Sequence, residues 1–160
     1  MADKASPVAV RPLRTSDFDR WKELWAGYLA FYREELSDEI TSTAFLRLST
    51  GERNTAGLVA VDSDDMPVAF AHLVFHPSTW SAVDKCYLED LYVDPSRRGG
   101  ETARALFDAV FLQARERGCE LVYWHTQQYN GSARSLYDRV GHLTSMVVYE
   151  HLIERDAVHS

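Results

Sequence analysis

The stretch Leu88-Glu89-Asp90-Leu91-Tyr92-Val93-Asp94-Pro95-Ser96-Arg97-Arg98-Gly99-Gly100-Glu101-Thr102-Ala103-Arg104 decides how the rest of the chain reads. It begins inside Cys86–Val93, a strand-like apolar run interrupted by two central acids and ended by Asp94-Pro95. A short basic turn with two glycines follows. Then Ala103, Leu106, Phe107, Val110, Phe111 and Ala114 fall on one helical face, which Gly118 closes. The first N–H groups of a helix lack intrahelical partners and carry the positive end of the macrodipole, so phosphates settle there. Gly99 and Gly100 let the backbone approach a ligand closely, while Arg97 and Arg98 offer charge. The commoner phosphate loops do not fit, because neither G-x-x-x-x-G-K-[ST] nor G-x-G-x-x-G occurs. Taken alone, Arg-Arg-Gly-Gly reads equally well as a solvated turn.

Upstream, Val8–Pro12 is expected as a first strand, and Thr15-Ser16-Asp17 caps a helix carrying Phe18, Trp21, Leu24, Trp25, Tyr28, Leu29 and Tyr32 to about Leu36. A shorter helix is expected over Ser42–Leu48. Thr55–Val61 and Val68–Phe75 pair as a hairpin across Asp62-Ser63-Asp64-Asp65. Downstream, Glu120–His125 reads as a strand, Asn130-Gly131-Ser132 opens a helix with Ala133, Leu136, Tyr137 and Val140 that stops at Gly141, and Met146–Ile153 reads as a final strand. The order β-α-α-β-β-β-α-β-α-β predicts an α+β fold: a mixed, mainly antiparallel central sheet with helices on both faces. At 160 residues and 46% hydrophobic, the chain is expected to form a single domain over 1–160.

A net charge of −7 argues against nucleic acid or an anionic membrane surface as partner and favours cationic ligands. No apolar run approaches the ~20 residues that span a bilayer, and the start, MADKASPVAVRPLR, lacks the apolar core of a signal peptide. Cys86 and Cys119 have neither metal-ligand spacing nor the density of a secreted scaffold, so a cytoplasmic protein is expected. His72 and His76 stand four apart on a strand, too far to chelate and without a third ligand, so no metal is expected. His125, at a strand end, suits a channel wall or a core position equally.

Three pieces now combine: Asp-Leu-Tyr-Val-Asp-Pro before the turn, the apolar helix after it, and Asn130-x-x-Ala133-x-x-Leu136-Tyr137-x-x-x-Gly141 one strand later. Together they resemble the GCN5-related N-acetyltransferase (GNAT) family, in element order over nearly the full chain and in motifs from Leu88 to His142. Leu24-Trp25-x-x-Tyr28-Leu29-x-Phe31-Tyr32 is similar to the histone- and polyamine-acetyltransferase-like branch, over a shorter stretch. The resemblance implies the acyl-CoA N-acyltransferase fold and transfer of acetyl from acetyl-CoA to a primary amine (polyamine, amino acid or lysine side chain) by direct attack in a ternary complex, without metal. It implies that Arg98, Gly99, Gly100, Glu101, Thr102 and Ala103 form the pyrophosphate loop. Leu91 and Val93, with Tyr92 between them, would pair through their backbone with the pantetheine arm. Asn130 would lie beside that arm and Tyr137 near the sulfur. The sequence departs from the family at Glu101, which replaces the second glycine of Arg-Gly-x-Gly-x-Gly/Ala, and at His142, where phenylalanine generally follows the glycine. The Glu101 carboxylate has to point outward or it weakens diphosphate binding.

A lysine-like amine, with a pKa of about 10.4, is neutral in only about one molecule in 2,500 at pH 7, a handicap of roughly 4.6 kcal/mol. The site therefore needs a base. Glu89 and Asp90 are the candidates, sent to opposite faces by strand alternation so that only one serves; a salt bridge or solvation would explain either as well. The resemblance implies Glu89, acting through water; Asp90 then reads as a hydrogen-bond anchor. Tyr137 is the candidate acid for the leaving thiolate, although helix packing beside Ala133 and Leu136 would also place a tyrosine there. Tyr28 and Tyr32 are expected to wall the acceptor site with Glu89, yet both lie on the apolar stripe. Glu34, Glu35, Asp38 and Glu39 suit a cationic substrate or a solvated face. The competing reading is a non-catalytic acetyl-CoA sensor, which Glu101 favours and the pair Glu89 and Tyr137 disfavours. The aromatic-rich carboxy-terminal strand and first helix lead to the expectation of a homodimer.

Overall fold

A computed structural model describes residues 8–155, which divide into two compact units, one up to Gln127 and one from Gln128. In the first, β1 (Ala9–Pro12), β2 (Thr55–Val61), β3 (Pro67–His76), β4 (Lys85–Val93) and β5 (Val122–Tyr123) lie side by side in chain order. Neighbours from β1 to β4 run antiparallel. β5 runs parallel to β4 and pairs with it only at Cys86–Val122 and Tyr87–Tyr123.

Alternation along β2 and β3 sorts side chains onto two faces. Val59, Val61 and Phe70 join Trp21, Leu24, Trp25, Phe45 and Tyr92 in a core cluster under α1 (Phe18–Tyr32) and α2 (Asp38–Thr50). The intervening Leu58, Ala60, Ala69 and Ala71 are buried on the other face, where α3 (Thr102–Glu116) rests on β2, β3 and β4 through Leu106, Phe107 and Val110. This is the mixed, mainly antiparallel sheet with helices on both faces that the sequence predicts.

α1 forms because its aromatic residues recur at helical spacing and stack on one another, Trp21 on Trp25 at 5.6 Å and Trp25 on Tyr28 at 5.1 Å between ring centroids. It stops at Tyr32 rather than near Leu36, because Arg33 turns left-handed (φ 55) and its N–H bonds back to the Ala30 carbonyl. α2 starts earlier than Ser42. The Ser37 hydroxyl accepts the Ile40 N–H at 3.2 Å, and Asp38 and Glu39 complement the helix start.

Two strand expectations need correction. Glu120–His125 contracts to Val122–Tyr123, the stretch that meets Cys86 and Tyr87 before β4 bulges at Glu89 and bends. Met146–Ile153 is not a strand: Met146, Val147, Tyr149 and Leu152 are exposed and no ladder forms there among the described residues. Apolar residues alone do not supply the neighbouring strand that backbone N–H and C=O groups require. In this second unit, α4 (Gly131–Val140) follows Asn130 and ends where the Gly141 N–H bonds to the Tyr137 carbonyl at 2.8 Å.

Candidate active site

The ladder between β3 and β4 is interrupted at one place. Leu73 faces Leu88 and His72 faces Asp90, so Glu89 stands opposite no residue of β3. A bulge of this kind bends a strand and re-aims side chains. It replaces the strict alternation expected for Glu89 and Asp90. Asp90 shares the α1 face with His72 and Phe70, and Glu89 is thrown out of the ladder with its side chain exposed.

On that face Asp90 is held by two donors. The Tyr28 hydroxyl donates to its Oδ1 at 2.6 Å, and His72 Nδ1 lies 2.9 Å from its Oδ2. His72 Nε2 in turn accepts the Trp21 indole N–H at 3.0 Å. The imidazole lies flat on Phe70, with centroids 4.3 Å apart. Burial alone would raise the Asp90 carboxyl, but the bonds from His72 and Tyr28 outweigh it and hold the group below the usual carboxylate range. Burial first, then the Asp90 charge, pushes the Tyr28 phenol well up, so Tyr28 remains a donor. The Glu89 carboxyl is raised first by the loss of solvent around it and then by the adjacent Asp90 charge. Two positions back on β4, the Tyr87 hydroxyl lies 3.2 Å from His125 Nδ1, and its ring stacks on Tyr123.

Since β5 stops at Tyr123, no strand among the described residues flanks the outer edge of β4 from Leu88 to Val93. Leu91 is half-buried there; the Tyr92 ring turns into the core, so this edge offers a ligand backbone rather than side chains. Asp94 then ends the strand, accepting Ser96 N–H at 3.0 Å and Arg20 Nη2 at 2.7 Å. Arg98 ties the turn back to β4: its Nε donates to the Val93 carbonyl at 3.1 Å and its guanidinium lies 5.4 Å from the Tyr92 ring centre. Arg97 lies 3.8 Å from Asp62. Gly99 takes φ +79, and a side chain added at Gly99 or Gly100 would meet no atom within 4 Å. α3 opens directly behind them without a side-chain cap; Glu101 is exposed and its carboxylate does not bond to the helix start. Thr102 is buried and Ala103 half-buried. An open glycine cradle before an uncapped helix start, with two arginines alongside, fits a diphosphate.

Tyr32 packs against Tyr28 at 4.9 Å between ring centroids, so the structure brings Tyr28, Tyr32, Glu89 and Asp90 together. Asn130 and Tyr137 lie in the second unit, at the start and on the partly buried side of α4. Glu34 and Glu35 do not join Tyr28. They line a shallow groove with Ala26, Ala30 and Arg33; on α1, Ala26 and Ala30 lie 200° from Tyr28 at 100° per residue. Asp38 pairs instead with Lys22 at 3.1 Å. Sequence reasoning missed His72 and Trp21 as site residues. The available signal was a histidine within an apolar strand, in hairpin register with the acidic pair of the next strand.

Residues 18–142 match the acetyltransferase (GNAT) family, and the chain belongs to it. The chain is similar to the D-amino-acid N-acetyltransferase HPA3 of Saccharomyces cerevisiae, 31% identical over 144 residues and 89% of each chain. It is also similar to the thialysine N-epsilon-acetyltransferase of Caenorhabditis elegans, 26% identical over 115 residues, 72% of this chain and 71% of that one. Among solved structures, AAC(6')-Iy in complex with the bisubstrate analogue CoA-S-monomethyl-acetylneamine shares the fold, with TM-score 0.74 and 19% identity over 94% of this chain and 100% of that one. The activity is acetyl-CoA-dependent acyl transfer.

Proposed function

We propose that the chain acts as a single N-acetyltransferase domain over residues 1–160 and acetylates the primary amine of a small molecule by direct attack in a ternary complex. One observation carries this reading: Glu89, pushed out of the β3–β4 ladder, stands on the strand whose free edge leads into the glycine cradle. The backbone of Gly99, Gly100, Glu101, Thr102 and Ala103 holds the diphosphate, with charge from Arg97 and Arg98, and Leu91 to Val93 offer their backbone to the pantetheine arm. Acetyl-CoA, when bound, supplies an activated acetyl thioester. Glu89 takes a proton from the incoming ammonium, directly or through water, and a carboxyl raised above its ordinary range suits that task near neutrality. Tyr28 and Tyr32 wall the acceptor. The family resemblance assigns Asn130 to the pantetheine arm and Tyr137 to protonation of the departing sulfur. The names of the relatives, which act on D-amino acids and thialysine, favour a small amine over a protein lysine.

Acetyl-CoA at 100 times its Kd is expected to stabilise the protein by about 2.7 kcal/mol in a thermal melt. Thiol release is expected with at least one of a panel of amino acids, polyamines and amino sugars. Tyr137→Phe is expected to cut kcat about a hundredfold while leaving the acetyl-CoA stabilisation intact. Stabilisation without turnover on any amine would overturn the reading in favour of a sensor.

A further inference from the structure

Trp21, His72, Asp90 and Tyr28 form one hydrogen-bonded chain across α1, β3 and β4. Its polarity follows from valence. An indole N–H can only donate, so His72 Nε2 accepts and Nδ1 carries the ring proton. That proton points at Asp90 Oδ2, while the Tyr28 hydroxyl occupies Oδ1, so both carboxylate oxygens are acceptors. The parts have little freedom: the His72 side chain is 3% exposed, that of Asp90 15%, and the imidazole is stacked on Phe70. Both arms of the chain converge on Asp90, one residue from Glu89 at the bulge.

We infer that Trp21, His72, Asp90 and Tyr28 are a positioning device for the base: they fix a permanent negative charge at Asp90 against Glu89 and so set the proton affinity of Glu89. The inference rests on the reading of Glu89 as base. Two carboxylates side by side cannot ionise independently, and the one with better hydrogen bonds ionises first. Asp90 has both donors, so its charge adds to the desolvation of Glu89 and leaves Glu89 to bind a proton more readily. The opposite directions of the two carboxyl shifts agree with this division. The titratable groups whose charges couple to Glu89 are Asp90 and Tyr87 on its own strand, His72 on β3 and Tyr28 on α1, with Tyr32 packed on Tyr28. On the β5 side, Tyr123 and His125 are engaged with His76 and Tyr87. On α3, Arg104 and Asp108 pair with each other.

The test is the pH dependence of kcat/KM, whose acid limb reports the base in the free enzyme. In Asp90→Asn the limb is expected to move to lower pH, because the like charge is gone, and in Asp90→Glu to return toward the wild-type position. A purely structural role would lower the melting temperature or the rate without moving the limb, so an unmoved limb in a folded Asp90→Asn overturns the inference. Glu89→Gln separates this failure from failure of the base itself. It is expected to lose about a hundredfold in kcat/KM together with the limb; if it keeps both, the base reading falls. Should Asp90→Asn not fold, 13C carboxyl titration of the wild-type protein decides. Glu89 is expected to titrate above an ordinary glutamate and Asp90 below an ordinary aspartate, and Glu89 at or below its ordinary value overturns the inference.

Discussion

A methyl group at position 27 would sit against the hydroxyl of Tyr92, so Gly27 is what lets α1 approach β4 closely enough for Tyr28 to reach Asp90. In an open helix, Gly→Ala gains about 1 kcal/mol. Here the added carbon displaces a ring that packs against Phe70 and lies beneath Arg98. Gly27→Ala is therefore expected to destabilise by about 1–3 kcal/mol in urea unfolding, and a stabilised variant would show that Tyr92 moves freely. At this scale the sequence singles out candidates, and the structure brings some of them together. Gly99 and Gly100 stand out because few other residues suit a turn that must stay open, and Glu89 and Asp90 because acids rarely interrupt an apolar strand. Their different surroundings are not legible, because these depend on one missing ladder partner and on a histidine 18 residues away.

β2 and α3 were read almost to the residue, since each has a single period and sharp flanking signals. α2 was read short because its first turn, Asp38 to Thr41, carries capping and charge signals rather than the apolar stripe by which helices are usually found. That cap is testable. Ser37→Ala is expected to cost about 1 kcal/mol and to shift the urea midpoint downward; an unchanged midpoint would mean that the tertiary contacts of α2 alone fix its start. α1 was read long because Leu36 extends the apolar pattern, while the left-handed turn at Arg33 leaves no trace in periodicity. β5 and the segment Met146–Ile153 erred for a shared reason: a strand belongs to a pair, and one sequence window sees only one member.

Over the whole molecule, several carboxylates depend on the fold for their charge. Asp17, which burial alone would raise, is held low by a two-pronged bond from Arg11 (2.8 and 3.0 Å) and by the Arg14 N–H. Asp90 and Asp94 are also lowered against burial, Asp94 by Ser96 and Arg20. For a carboxyl whose folded pKa is depressed, the stabilisation is fully present above the unfolded value, about 3.9 for aspartate, and is lost as pH falls through the folded value. Unfolding free energy is thus expected to drop steeply below about pH 4. Asp17→Asn is expected to be less stable than wild type at pH 6, with the gap closing toward pH 2, and a gap independent of pH would remove Asp17 from this account. Glu89 runs the other way: the folded chain binds its proton more tightly than the unfolded chain does, so ionising it near neutrality opposes folding. The pairings Ala71–Leu91, His72–Asp90, Leu73–Leu88 and Val74–Tyr87 would form one continuous ladder if position 89 were deleted. Position 89 is thus the extra residue of the bulge, and a chain shortened by that one amino acid is expected to keep the ladder while losing the bend that re-aims the end of β4.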